Sequence, residues 1–496
     1  MKTFIEGCVL GIAFLVFVFV GWTKLPVFLY NQGNEYFDKQ QYGRARIFFQ
    51  RSIAVNPSIA VVQYSLGNTY QHLGDDTAAI PYFKKAMYLD PRFMLPYRSL
   101  ASIYSNRALY DDALAVLADA LTSGGGSEIE SLVESITLEY VAFELNEAAD
   151  AYLSGDHARA YDHARKAIRI KNDYSYAYYT LGFFLYADKN YEDAQQFLER
   201  AVRLDPQMWL AQLIRGDIAF ERAEYQAAVT FYRAAVSVWH ESAALYNNLG
   251  LSYMNLERYD EAIDPLQNAV RLEPGNTVIR YSLASVYRDS GRAFDALREY
   301  EIVVREQPDF PNVHNDIAAI YENLGKVEDS HREYAQEIEN AQLRLRVNAQ
   351  DPVALTSLAY AYCGSGLFEK AHARVQQALR ISPDYREAYL ALAQIYNKTN
   401  RPAEALAALE KAKKLGKHAG FITAQIMTKE RDLSALKNDP LRFRPTHLIV
   451  LRNGGRLRGA IKEDLPDRIL LETQVGSSRG VITLYRNAIE RISAAE

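Results

Sequence analysis

The residues that could carry covalent chemistry are few, and their spacing does not support it. Gly476-Ser477-Ser478-Arg479-Gly480 has the GxSxG spelling of a nucleophile elbow, in which a tight turn lifts a serine between a strand and a helix. Val481 to Tyr485 reads as a further strand, so the elbow lacks its helix and the spelling is coincidental. Nine histidines are scattered without an HExxH pair, a histidine–cysteine cluster at ligand spacing or a glycine-rich phosphate loop. His157 and His163 lie six apart, off a common helical face. Cys8 and Cys363 cannot build a disulfide framework or a CxxC pair. Asn397-Lys398-Thr399 spells a glycosylation acceptor but falls inside an expected helix. No catalytic residue, metal or cofactor is expected.

Binding is better served. Tyr176, Tyr179, Phe183 and Tyr186 follow one another at i, i+3, i+7 and i+10, which puts four rings on one helical stripe. Leu210, Leu213 and Phe220, then Asn247 and Met254, occupy the matching positions of the next two segments. Such a groove suits an extended peptide or a helix held by aromatic anchors, with Asn247 available to its amides. The competing occupant is the chain's own helix over 127–153, through Ile129 to Phe143.

A period positions these residues. Small anchor residues, most of them three before a recurring tyrosine, stand at Gly33, Gly67, Ala101, Ala148, Gly182, Gly216, Gly250, Ala284, Ala318, Ala359 and Ala393, and eight of the ten steps between them are 34. Twelve residues after each of these anchors stands alanine, from Ala45 to Ala405, with Ser330 the exception. Proline follows 24 after the anchor at Pro57, Pro91, Pro206, Pro274, Pro308 and Pro383, where a second helix must end. Each unit is therefore two helices of about a dozen residues, with small residues where helices approach closely. Tyr36, Tyr70, Tyr104, Tyr253, Tyr287, Tyr321, Tyr362 and Tyr396 plug the space between neighbours.

The unit AALYNNLGLSYMNLERYDEAIDPLQNAVRLEP, with Tyr246, Leu249, Gly250, Tyr253, Tyr259, Ala262, Leu266, Ala269 and Pro274, resembles the tetratricopeptide repeat family. The resemblance spans about eleven units over 26–417 and implies a mainly α, right-handed solenoid that binds proteins or peptides on its concave side. A carboxylate clamp is not expected, because the family's basic groove positions correspond here to Asn68, Asn248, Val278 and Ser282. Two steps exceed 34. The 47-residue step predicts one long helix over 127–153, and the 41-residue step extends a helix near 327–348. In that unit Ser330 and Glu337 stand where alanine is usual, predicting the loosest stacking and a bend between the ninth and tenth units.

Residues 4–22, FIEGCVLGIAFLVFVFVGW, contain one ionisable side chain, Glu6, and would span roughly 28 Å as a helix, about the thickness of a bilayer core. Gly21-Trp22-Thr23-Lys24 is not a small-x-small cleavage site, so a retained anchor over 1–25 is expected rather than a cleaved signal. The short leading tail favours the solenoid lying outside the cytoplasm, although Lys2 and Lys24 balance across the segment, and a single-pass protein of a bacterial inner membrane is expected. A capping helix is expected over His418 to Lys437, within a 418–440 linker.

Beyond Asp439-Pro440 the pattern turns to strands, separated by Asn453-Gly454-Gly455, Leu465-Pro466-Asp467 and Gly476-Ser477-Ser478. Residues 441–496 resemble an Sm-like or SH3-like small β-barrel, through VLRNGGRLRGAI and the closing Ile482, Ile489 and Ile492. They carry ten basic against six acidic residues, and Arg452, Arg456, Arg458 and Arg479 form a candidate basic rim. The asparagine that RNA-binding Sm-like members carry after the third strand is missing, where Asp467-Arg468-Ile469 stands instead, so nucleic acid is the weaker partner class. The whole chain, with 56 basic and 61 acidic residues, is too balanced to coat nucleic acid. The expected function is a membrane-anchored scaffold that collects protein partners. Alternatives are an RNA- or anionic-polymer-binding module built on the barrel, and a non-catalytic subunit of an envelope or secretion assembly.

Overall fold

The computed structural model describes residues 24–415 and the strand residues 447–451, 456–464, 468–475, 478–485 and 489–494. The expected membrane segment 4–22, the 418–437 capping helix and Arg452 lie outside the described residues. Among the described residues no helix is long and apolar enough to cross a membrane.

Packing groups the chain into two units, Met1–Asn172 with Asp439–Glu496, and Asp173–Asn438. In the first, α1 (24–38) pairs with α2 (Tyr42–Val55), α3 (Ala60–His72) with α4 (Asp76–Leu89), α5 (Met94–Asn106) with α6 (Tyr110–Thr122), and α7 (Ser127–Leu153) with α8 (His157–Ile170). The second begins with α9 (Ser175–Ala187) and α10 (Tyr191–Leu204), α11 (Trp209–Glu221) and α12 (Tyr225–Val238), α13 (Ala243–Asn255) and α14 (Tyr259–Leu272), and α15 (Thr277–Asp289) and α16 (Ala293–Glu306). It ends with α17 (Val313–Asn323) and α18 (Val327–Val347), α19 (Pro352–Gly364) and α20 (Phe368–Ile381), and α21 (Arg386–Lys398) and α22 (Pro402–Lys414). The described residues thus form an all-α solenoid of eleven helix pairs, as the period predicts. First helices also touch the first helix of the next pair, as α3 with α5, α13 with α15 and α19 with α21, so they line the inner side of the stack.

Each pair closes at its anchor. A Cβ on Gly33 would stand 2.5 Å from the Phe49 ring, one on Gly216 2.5 Å from Tyr232, and one on Gly250 2.5 Å from Leu266 Cγ. In every case the intruding side chain sits sixteen residues after the anchor and fills the space that glycine leaves. The second-helix alanines are buried without exception, and Ser330 joins them.

The turns are equally regular. Seven residues after every anchor the backbone enters the left-handed region, from Gln40 (φ 58°) and Gly74 (φ 81°) to Gly366 (φ 75°) and Asn400 (φ 58°). The next N–H then returns to the carbonyl five residues back, as Asp75 to Tyr70 (2.9 Å) and Leu367 to Tyr362 (2.8 Å). This is a Schellman stop for each first helix.

The carbonyl that accepts is, in most units, the repeat tyrosine's own. Its ring is buried or half-buried as expected, and its hydroxyl is bonded from the preceding unit by Gln50 to Tyr70 (3.0 Å), Gln267 to Tyr287 (2.8 Å) and Gln342 to Tyr362 (3.4 Å). A cation from the turn covers the ring face, with Arg292 at 4.6 Å from Tyr287 and Arg401 at 4.4 Å from Tyr396.

Both long helices are present, α7 with 27 residues and α18 with 21. Glu144 of α7 is buried and takes Lys166 Nζ at 2.9 Å and His163 Nδ1 at 2.6 Å from α8. Beside α18, polar side chains tie neighbouring segments together. Asn315 Nδ2 donates to the Ser357 carbonyl (2.9 Å), Ser357 Oγ to Asn312 Oδ1 (2.6 Å), and Asn340 Nδ2 to the Pro308 carbonyl (2.8 Å). Of the two residues that replace alanine here, Glu337 bonds Arg344 of its own helix and Ser330 is buried.

Five antiparallel strands, β1 (His447–Leu451), β2 (Arg456–Asp464), β3 (Arg468–Val475), β4 (Ser478–Tyr485) and β5 (Ile489–Ala494), pair in the order β4-β3-β2-β1-β5. Their ends fall at the three turns read from sequence. Ser478 opens β4, so the GxSxG spelling runs into a strand and not a helix.

The anchor geometry predicts opposite outcomes at two glycines. Gly216→Val drives two methyls into the buried Tyr232 ring and lowers unfolding free energy by about 2–3 kcal/mol in urea titrations. Gly43→Ala, on α2 with nothing within 4 Å of the new Cβ, leaves stability unchanged or raises it by up to ~1 kcal/mol.

Candidate binding face

The aromatic stripe forms as its spacing requires, but not as an open groove. On α9, Tyr176 stacks on Tyr179 with centroids 5.5 Å apart, and Tyr179 lies 6.3 Å from Phe183. Tyr179 and Phe183 are 9% and 8% exposed, so the middle of the stripe is packing surface. Tyr176 and Tyr186 at its ends are half-buried. On α11, Leu213 is a half-buried contributor to the core and Phe220 is buried edge-on against Tyr225 at 5.2 Å. Met254 of α13 also packs against that core. Periodicity identified the face correctly; it carried no information on how deeply the rings would sink into it.

The polar member of the set behaves differently. Asn247 is 5% exposed, and its Oδ1 has no hydrogen-bond partner among the described residues. It sits three residues before its anchor, Gly250. Two further units place a buried polar side chain at the same position, Asn315 before Ala318 (8% exposed) and Thr356 before Ala359 (2% exposed). Asn315 Oδ1 and Thr356 Oγ1 likewise lack partners among the described residues. All three atoms are enclosed, and leaving such a group unmet costs about 1–3 kcal/mol, so the first helices here are built around polar groups of the kind that buried water satisfies. Aligning the anchors could have found Asn315 and Thr356, but the 41-residue step hides their correspondence.

Between Asn247 and Asn315 the same position is Tyr281, whose hydroxyl donates to Asp316 Oδ2 at 2.5 Å. Asp316 also receives Arg288 Nη1, which fixes the α15–α17 contact. Burial, reinforced by the Asp316 carboxylate, pushes the Tyr281 phenol far above its ordinary range, so it stays a donor. Farther along, Arg386 and Glu387 of α21 form a pair at 3.6 Å, and burial raises the Glu387 carboxyl.

Glu337 marks the deepest departure from the repeat. In most other units the equivalent residue is a buried alanine, such as Ala201 or Ala378, yet Glu337 is 0% exposed. Its room comes from α17, which starts late behind Asn312, a left-handed residue (φ 65°) whose backbone N–H bonds the Glu337 carboxylate. Arg344 Nη2 meets Glu337 Oε1 at 2.9 Å, while Glu337 Oε2 and Arg344 Nε and Nη1 have no partner among the described residues. His314 is held beside them by Glu333, Nδ1 to Oε2 2.6 Å. Burial outweighs the pull of Arg344 and raises the Glu337 carboxyl from 4.5 to about 7.

The proposed basic rim is not brought to one strand pair. Arg456 and Arg458 lie on β2 and Arg479 on β4, with β3 between them.

Family models described as tetratricopeptide repeat match residues 27–59, 60–93, 151–213, 243–276 and 362–418. The chain is a tetratricopeptide repeat protein. Among curated proteins, this tetratricopeptide repeat chain is 24% identical over 45% of its length to the anaphase-promoting complex subunit CDC16 of Saccharomyces cerevisiae, covering 26% of that protein. It is 27% identical over 27% of its length to the BBSome complex member BBS4 of Bos taurus, again covering 26% of the relative. DnaJ homolog subfamily C member 7 of Homo sapiens is 24% identical over 52% of the chain and 63% of its own length. The chain thus spans about a quarter of the first two relatives. Among solved structures, yeast Tom70 is 18% identical, with 85% of this chain and 98% of that one covered at a TM-score of 0.36. The tetratricopeptide repeat protein YrrB is 21% identical, with 46% and 96% covered at a TM-score of 0.32.

The Glu337 site gives the repeat stack a pH dependence of definite sign. The native state holds this proton more tightly than the unfolded chain, whose carboxyl titrates near 4.5, so the stability it confers is complete below that pH and is lost as pH rises through about 7. Glu337→Gln cannot titrate. Urea titrations are expected to show the wild type losing about 2–3 kcal/mol against the variant between about pH 5 and pH 8.

Proposed function

We propose that the chain is a membrane-anchored, non-catalytic scaffold that recruits protein partners along the inner side lined by its first helices. The observation that carries this reading is that first helices of successive pairs touch and line one side of the stack, where Tyr176 and Tyr186 of the aromatic stripe stay half-buried. These two rings supply apolar contact to a bound segment.

Membrane attachment rests on the apolar run over 4–22. The curated relatives CDC16 and BBS4 are named as members of multiprotein assemblies, which supports a subunit-like role for this chain. We read the C-terminal strands as a small barrel of Sm-like or SH3-like type. A four-strand meander whose fifth strand returns to the free edge of β1 is an order that can curl toward closure. Separation of Arg456 and Arg458 from Arg479 by β3 lends no weight to an anionic-polymer partner.

Crosslinking of partners to the full chain in its membrane is the test. The combined substitution Tyr176→Ala and Tyr186→Ala removes two aromatic contacts of about 1–2 kcal/mol each, so capture falls by roughly thirty- to a thousandfold. Tyr88→Ala on a far more exposed side chain leaves capture unchanged. Equal capture by the double variant and the wild type would remove the aromatic contact on the inner side.

A further inference from the structure

The first helix exposes a large apolar side chain at a repeat position that most later units bury. Phe28 lies five residues before its anchor, Gly33. At that position later units carry Val62, Ala177, Leu245, Ile279 and Val313, all buried. Phe28 is 59% exposed and its neighbour Val27 54%. A terminal repeat needs a polar outer face to stay soluble, so a phenylalanine here, larger than the aliphatic residues it replaces, calls for a cover. Along the exposed side of α1 the sequence grades from Lys24 through Val27 and Phe28 to Asn31 and Glu35, apolar near the start and polar beyond.

We infer that Val27 and Phe28 sit in the headgroup layer of the bilayer, so that the first repeat rests on lipid instead of hanging from a flexible tether. The inference depends on the proposed anchoring through 4–22. That apolar run ends at Trp22, and α1 is already helical at residue 24, which leaves no length for a spacer. Val27 and Phe28 are three and four residues into the helix that opens at Lys24, about 4–6 Å at helical rise, within the depth of the interfacial layer beside the hydrocarbon core. Lys24 on the same face can extend its ammonium to phosphate while its stem stays among apolar groups. Asn31 and Glu35, farther along, match the return to water.

The test uses the full chain carrying Cys8→Ser, reconstituted in phosphatidylethanolamine–phosphatidylglycerol vesicles. A nitrobenzoxadiazole label is placed at Phe28→Cys or, as a control, at Tyr88→Cys, a residue 78% exposed. The label at position 28 is expected to emit blue-shifted and to be quenched by lipids with a nitroxide on the headgroup, with no quenching at position 88. An unquenched label at 28 on a chain that resists alkaline extraction would overturn the inference and leave the anchoring intact. Self-quenching that grows with the protein-to-lipid ratio would overturn it by seating a second copy on Phe28. Extraction of the chain by alkali would overturn the anchoring itself, and this inference with it.

Discussion

The structure depends on the distance at which two helices of a pair can close. Where the anchor is glycine, a Cβ would fall within 2.5–2.8 Å of the side chain sixteen residues later, and that side chain is a phenylalanine, a tyrosine or a leucine filling the gap. The close crossing fixes which side of each helix faces inward. With the left-handed stop seven residues on, it also fixes the direction in which the second helix leaves. Repeated through eleven pairs, these two local constraints leave little freedom in which residues line the inner face. Tyrosine completes the joint because its ring packs, its hydroxyl takes a glutamine from the previous pair, and its face takes a cation from the turn.

The irregular pairs are where the chain accepts polar groups in its interior. Glu144 on the long α7 and Glu337 on the long α18 are both buried carboxylates with cationic partners, and both helices exceed the repeat length. A buried charge is costly unless its bonds are met. Glu144 takes a lysine and a histidine. Glu337 takes only one nitrogen of Arg344 and the backbone N–H of Asn312, and burial outweighs both and keeps it close to protonation at neutral pH. Such a pair specifies how α17, α18 and α19 fit together more sharply than alanine would.

Much of this was legible in the sequence because it is local and periodic. The 34-residue steps gave the pairs, the 47- and 41-residue steps gave the long helices, and Asn-Gly-Gly, Leu-Pro-Asp and Gly-Ser-Ser gave the strand ends. Depth was not legible. The stripe from Tyr176 to Tyr186 lies on one face as read, but Tyr179 and Phe183 pack down into it. Glu337 in place of alanine reads as a defect until Asn312, remote in sequence and left-handed, brings an N–H to it. Asn315 and Thr356 carry no motif of their own and gain meaning only through their register with Asn247.

A structure of the full chain with a bound partner segment tests the central claim most directly. The account predicts partner side chains packed against Tyr176 and Tyr186 on the inner, first-helix side. A partner seated on the outer, second-helix side, touching neither ring, would contradict it.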